Sequence, residues 1–281
     1  MNNDCPPSSL RNLTLGKKTD YCSTYSPELL QAVPRAFNRE ELGVVTEQPF
    51  VGVDIWNAYE LSWLNLKGKP VVALARLKIS AKSPNIIESK SLKLYLNSYN
   101  QTRFDSIEFV QNQLKDDLSG TAGMSIQVEL FSASEINMFG LSQLPGVCLD
   151  ELNIDVEQYT ISPELLTCES QNNEVEETVH SHLLKSNCLI TNQPDWASVV
   201  IGYSGQKIDH HSLLKYLISF RMHNEFHEQC VERIFMDIYK NCNPNALWVQ
   251  ALYTRRGGLD INPCRHFGEI EKMPLFRINR Q

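Results

Sequence analysis

The chain has 281 residues, 42% of them hydrophobic and 21% charged, with a formal net charge of -7. That length allows one large core or two of about 140 residues, and the acidic balance argues against a general nucleic-acid binder, whose affinity rests on clustered Lys and Arg. The N-terminus has no basic segment leading into an apolar run, and no stretch approaches ~18 uninterrupted apolar residues, so a cytoplasmic protein without signal peptide or membrane span is expected.

Residues 1–45 are polar and contain prolines, which reads as an irregular lead-in. Residues 51–61 alternate with the period of two expected of a strand, and 70–79 read as a second strand. Leu92, Tyr95, Leu96 and Tyr99 then share one helix face, 107–118 reads as another helix, and 125–131 returns to strand. The second half repeats this order. Residues 183–191 are strand-like, and 196–203 form a β-branched run. Leu213, Leu214, Leu217 and Ile218 mark a helix, and Phe226, Cys230, Ile234 and Ile238 form an i+4 row on the next. Strand 246–254, the turn Gly257-Gly258 and a short final strand close the chain. The repetition predicts duplication of one α+β unit, with helices on one face of an antiparallel sheet. The seam is expected around 169–177, or in the 145–155 segment before it.

Eight cysteines stand at positions 5, 22, 148, 168, 188, 230, 242 and 264, with no CxxC pair among them. A disulfide framework is not expected in a reducing compartment, and most should be small buried hydrophobes. Cys188 is different. It ends a strand beside a turn made by Asn192, Gln193 and Pro194, with Asp195 just across it. A thiol there can be held rigidly yet reached by a ligand, and it needs a base or positive charge to act as a nucleophile. Taken alone, a buried strand Cys and an Asp after Pro are ordinary turn chemistry.

Asn224 reads as a helix N-cap, which puts Glu225, Phe226, His227 and Glu228 in the first turn. The helix dipole accounts for one such carboxylate. A pocketed carboxylate can also accept two N–H bonds from a guanine-type edge. Upstream, Glu88-Ser89-Lys90-Ser91-Leu92-Lys93-Leu94-Tyr95 follows a Ser83-Pro84-Asn85 loop. Ser89 or Ser91 is the expected cap, and free backbone N–H groups with Lys90 and Lys93 suit a phosphate. Arg255-Arg256-Gly257-Gly258 offers a second cationic turn. There is no GxGxxG, GxxxxGK[ST], GxSxG or HExxH motif. Cys168, His180 and His182 match no standard zinc spacing, and no metal is expected.

In combination these motifs, the Glu88–Tyr95 segment above all, closely resemble the NADPH-dependent 7-cyano-7-deazaguanine reductases, the nitrile reductases of queuosine biosynthesis, in their long two-module form. The resemblance implies tunnelling-fold modules of ββααββ order over 46–150 and 151–281, with antiparallel sheets and helices on one face, and a homodimer. It implies Cys188, Asp195 and His227 as catalytic residues. The nitrile substrate would meet Ile87, Glu88, Ser89, Phe226, His227 and Glu228, and NADPH would meet Ser89, Lys90, Arg256 and Gly257. Cys188 would add to the nitrile as a thioimide while Asp195 protonates nitrogen. The rival within this fold is a zinc-dependent cyclohydrolase-like enzyme acting on a purine or pterin, for which the Cys168, His180 and His182 set is the sole candidate centre.

Overall fold

The structure is a computed structural model and describes residues 21–44, 48–135, 140–169, 173–268 and 276–281. Residues 1–20 and 45 of the expected lead-in lie outside it. The remainder of that segment is not irregular, because it forms β1 (Ala32–Pro34) and α1 (Ala36–Glu41). The first unit follows as β2 (Val51–Leu64), β3 (Pro70–Ser80), β4 (Asn85–Ile87), α2 (Ser89–Ser98), α3 (Ile107–Ala122) and β5 (Gln127–Ser132). After the short β6 (Val147–Cys148), the second unit comprises β7 (Glu174–Ser181), β8 (Lys185–Asn187), β9 (Pro194–Gln206), α4 (His210–Ser219), α5 (His227–Cys242), β10 (Ala246–Tyr253) and β11 (Leu259–Phe267).

Local chemistry sets these boundaries. Asn65 turns the β2–β3 hairpin by accepting hydrogen bonds from the Lys67 and Lys69 amides. Ser106 caps α3 by accepting from Phe109 N–H, and Gly123 ends the helix in the left-handed region. On β3, Ala73, Ala75, Leu77 and Ile79 point to one side and join Leu92, Tyr95, Leu114 and Leu118 of the helices in one core. Val199, Ile201, Val249 and Ala251 do the same against Leu213, Leu217, Ile234 and Ile238 in the second unit. The expected α+β architecture, with helices against antiparallel strands, is therefore what the chain forms.

One sheet runs through both units in the order β5-β3-β2-β11-β10-β9-β7-β6. The units meet head to tail, as the first strand of one pairs with the last strand of the other, from Leu259 opposite Ala58 to His266 opposite Val51. Two expectations need correction. Among the described residues the first unit gives three strands, β2, β3 and β5, to the large sheet, because β4 pairs with β1 outside it and β6 pairs in parallel with β7 of the second unit. Nor is 169–177 a seam, since β7 begins at Glu174 (170–172 lie outside the described residues). Its outward glutamates hide a half-exposed strand, and Glu177 accepts a hydrogen bond from Tyr203 of β9. No helix among the described residues is long and apolar enough to cross a membrane.

The joint between units holds a buried ion-pair network. Arg265 of β11 reaches Asp54 of β2 at 2.7 Å and Glu232 of α5 at 2.9 Å. Arg35 joins Asp54 at 2.5 Å, and Arg39 joins Glu232 at 2.7 Å. Removing one member of such a network strands charge that burial has already stripped of water. Arg265→Leu is accordingly expected to cost about 3–5 kcal/mol in denaturant unfolding. A loss below 1 kcal/mol would mean that the joint does not depend on these charges.

Candidate active site

Cys188 begins the turn of the β8–β9 hairpin. Its N–H donates to Gln193 O at 2.8 Å, and its carbonyl accepts from Asn192 N–H at 3.1 Å. Asn192 takes a left-handed φ of 56°, which Asn tolerates better than most residues. Asn224 straps this turn, donating its amide to Cys188 O at 3.1 Å and Asn192 Oδ1 at 3.0 Å. It is thus not the N-cap expected for α5. That position is Phe226, and the helix starts at His227. The 223–225 segment instead lies along β8, with Asn187 N–H donating to His223 O at 2.7 Å and Glu225 N–H to Asn187 O at 3.0 Å. This backbone pairing carries Phe226, His227 and Glu228 to the thiol.

A cavity of about 510 Å³ opens there, lined from the second unit by Cys188, Asp195, Phe226, His227 and Glu228 among others. The first unit contributes Trp56, Ile87, Ser89, Lys90 and Lys93. Arg256, Gly257, Leu259 and Ile261 complete the wall. Cys188 is half-buried and lines the same cavity as the Asp195 and Glu228 carboxylates.

Asp195 is 3% exposed and faces two cations or potential cations. Arg256 pairs with one carboxylate oxygen, and His227 Nε2 lies 3.3 Å from the other. Burial alone would raise the Asp195 pKa, but the His227 hydrogen bond and the charges of His227 and Arg256 outweigh it and hold the group below the ordinary carboxylate value. At rest Asp195 is therefore an anion. It can take a thiol proton and pass it on, but it holds no proton of its own. The His227 ring stacks on Tyr253 with centroids 3.8 Å apart, and its Nδ1 is buried without a partner among the described residues.

Glu228 is the opposite case. Burial first, then the nearby Asp54 charge, push its pKa up to about 8, against the pull of Arg35 and Arg265. Its Oε1 is buried with no hydrogen-bond partner among the described residues, and so is Nε1 of Trp56. An orphaned carboxyl oxygen and an orphaned indole donor on residues lining one cavity fit a flat ring that both donates and accepts hydrogen bonds. Glu225 also lines the cavity, but it is ion-paired to Arg233 at 2.9 Å and bonded to His223 at 3.0 Å.

The α2 end departs from expectation. Glu88, and not Ser89 or Ser91, caps the helix, accepting from Lys90 N–H at 2.8 Å and Ser91 N–H at 2.7 Å. Two amides expected to hold a phosphate are thereby occupied. Glu88 is wholly buried and does not line the cavity, whereas Ile87, Ser89 and Lys90 do. Arg256 donates to Gln193 Oε1 at 2.6 Å as well as to Asp195, so its charge is already engaged. Arg255 leaves the cavity and lies over the Tyr59 ring at 3.6 Å. Gly257 has a φ of +55°, and a Cβ there would come within 3.0 Å of the Lys93 side chain. Its bareness gives Lys93 room.

Trp56 was not expected as a site residue, and Lys93 was expected only as a cation beside a phosphate. Trp56 carried no signal apart from strand alternation, while Lys93 was visible as a charge in the Glu88–Tyr95 segment. Burial and Arg256 lower the Lys93 pKa, while Glu88, Asp195 and Cys188 act in the other direction. The Cys168, His180 and His182 set that the cyclohydrolase-like rival would need does not assemble. Cys168 Sγ lies against Cys242 O at 3.9 Å, and Cys148 takes its place beside His180 and His182.

Fold and cavity define an α+β protein of two like units, with a thiol, a carboxylate and an imidazole gathered where they join. The model of the family described as nitrile reductase, 7-cyano-7-deazaguanine-reductase N-term, matches residues 21–130, and that of the QueF-like protein family matches 194–272. An NADPH-dependent 7-cyano-7-deazaguanine reductase of Colwellia psychrerythraea is 53% identical over 280 residues, spanning 98% of each chain. The chain belongs to that reductase family. Among solved structures, the apo archaeosine synthase QueF-Like is 17% identical, with a TM-score of 0.31 over 36% of this chain and 99% of its own.

Proposed function

We propose that this chain reduces the nitrile of 7-cyano-7-deazaguanine to an aminomethyl group, using NADPH, in queuosine biosynthesis. The convergence of Cys188, Asp195, His227 and Glu228 on one cavity carries this reading. In it, residues 46–150 and 151–281 act as two modules behind a lead-in of 1–45.

The pyrimidine edge of the substrate gives two N–H donors to Glu228, a bidentate arrangement suited to a carboxylate. Trp56 Nε1 offers a donor in return, and Phe226 and Ile87 close on the ring. The Cys188 sulfur adds to the nitrile carbon. An S–C bond forms, one π bond of the nitrile opens, and the thiol proton travels through Asp195 to nitrogen, leaving a thioimide. Arg256 and His227 keep Asp195 charged so that it can receive that proton, and His227 moves later protons between the carboxylate and nitrogen. NADPH, when bound, supplies hydride, and two equivalents account for the four electrons between nitrile and amine. Lys90 and Lys93 provide cations for its phosphates, with Ser89 and Gly257 beside them, and Arg256 serves Asp195 in place of the cofactor. Excluding water protects the thioimide from hydrolysis.

A cytoplasmic homodimer completes the reading. Strand β5 has no neighbour on its outer side among the described residues, an edge that a second copy can cover. Intact-protein mass spectrometry after adding the nitrile without NADPH is expected to find an increase equal to the ligand's mass, mapping to Cys188. An unmodified protein at saturating ligand would overturn the proposal.

A further inference from the structure

We propose that Cys148, His180 and His182 form a zinc site that fastens the segment between the two units to the first strand of the second. None of the three lines the catalytic cavity, so the inference stands apart from the nitrile chemistry. Their ligand atoms all lie within 4.8 Å of one another. Tetrahedral zinc with one sulfur and two nitrogens requires separations of roughly 3.3–3.6 Å, which small side-chain rotations supply.

The topology explains why these residues meet. His180 and His182 are two apart on β7, so they project from the same face, and their rings lie 5.5 Å apart. The parallel β6–β7 pairing sets Cys148 beside His180. Three soft or borderline ligands on two adjacent strands suit zinc better than magnesium or calcium, which take oxygen ligands.

The outer contacts of the imidazoles are the second observation. His180 Nδ1 lies 2.8 Å from the Pro145 carbonyl oxygen. A carbonyl can only accept, so Nδ1 donates, which leaves Nε2 as the atom available to a metal. His182 Nδ1 is likewise engaged, 2.7 Å from Ser198 Oγ, which leaves its Nε2. Zinc-binding histidines are oriented in this way, with the second nitrogen held by a carbonyl or another polar group. Asp150 lies close by, accepting from Ser181 Oγ at 2.6 Å and His182 N–H at 3.0 Å. Its charge and a Cys148 thiolate together balance a divalent cation. A water would complete the fourth position.

The consequence is mechanical. β6 is a two-residue strand, and Gly146 (φ +77°) comes so near β7 that a Cβ would stand 1.8 Å from Thr178 O. Hydrogen bonds from His180 to Pro145, from Leu149 to His180, and from Ser181 and His182 to Asp150 already hold this approach. A metal bound to Cys148 on one strand and to both histidines on the other would lock it.

The test uses the full-length chain without a histidine tag, loaded separately with Zn2+ and Co2+. Metal analysis after dialysis is expected to find about one zinc per chain. The cobalt form should display a thiolate-to-metal charge-transfer band and tetrahedral visible bands. Cys148→Ser and His182→Ala should each lose the charge-transfer band or weaken metal binding at least tenfold, and zinc should raise the Tm of wild type only. The Cys148→Ser variant should still form the nitrile adduct at Cys188, which establishes that it is folded. Absence of bound zinc in wild type sinks the proposal. So does metal that survives Cys148→Ser, or that disappears with Cys188→Ala in its place.

Discussion

Cys188→Ala is expected to lower turnover by at least about 10⁴-fold while leaving the nitrile ligand bound within a few-fold of its wild-type affinity. Cys188 is the one thiol lining the cavity among the described residues, and the Asp195 carboxylate that can take its proton lines the same cavity. A nitrile is a poor hydride acceptor until thiol addition turns it into a C=N group. The ring, by contrast, is held by Glu228, Phe226 and Trp56, none of which depends on the thiol. Loss should therefore fall on kcat, with equilibrium binding measured by calorimetry nearly unchanged. Half-burial of Cys188 means that Ala leaves no large void, so misfolding does not account for the loss. A variant retaining more than a tenth of wild-type kcat would exclude covalent addition at this residue.

Glu228→Gln should move stability and binding in opposite directions. Burial and Asp54 raise the Glu228 pKa to about 8 in the folded chain, from an ordinary value of 4.5. Between those two pH values the folded protein holds a proton that the unfolded chain has released, so stability falls as pH rises through the window. The accumulated cost at pH 8 is on the order of several kcal/mol. Gln does not titrate. The variant should melt close to wild type at pH 4.5–5 and clearly above it at pH 8. Ligand binding should weaken by about 10²-fold or more, because the Gln amide turns a donor toward a ring that itself donates. In wild type, binding at neutral pH should release a proton, and affinity should rise with pH until about 8. Equal melting temperatures for both proteins at pH 8, together with pH-independent binding, would remove Glu228 from its proposed role.

Much of this site was legible in the chain because its parts are local. A thiol and a carboxylate straddling Asn192-Gln193-Pro194 belong to one turn wherever that turn lies. The Phe226, Cys230, Ile234 and Ile238 row identifies one buried face of α5. The details that failed were those that depend on distant partners. Asn224 looks like a cap in isolation, yet the neighbouring hairpin uses its amide. Glu88 looks like a ligand for substrate, yet the helix behind it takes both oxygens. The glutamates of β7 read as a solvated linker because only its pairing with β9 reveals a strand.

Composition, periodicity and short spacings by themselves determined the α+β class and the repeated unit, since each depends on residues within a few turns of chain, while the roles expected of Cys188, Asp195 and His227 came from the family resemblance. Only the tertiary structure decided which charges those groups meet. Arg256 lies 61 residues from Asp195 and yet keeps it ionised. Asp54 belongs to the other unit and yet helps to keep a proton on Glu228. Electrostatic energy depends on distance through space and on burial, and neither can be read along the chain.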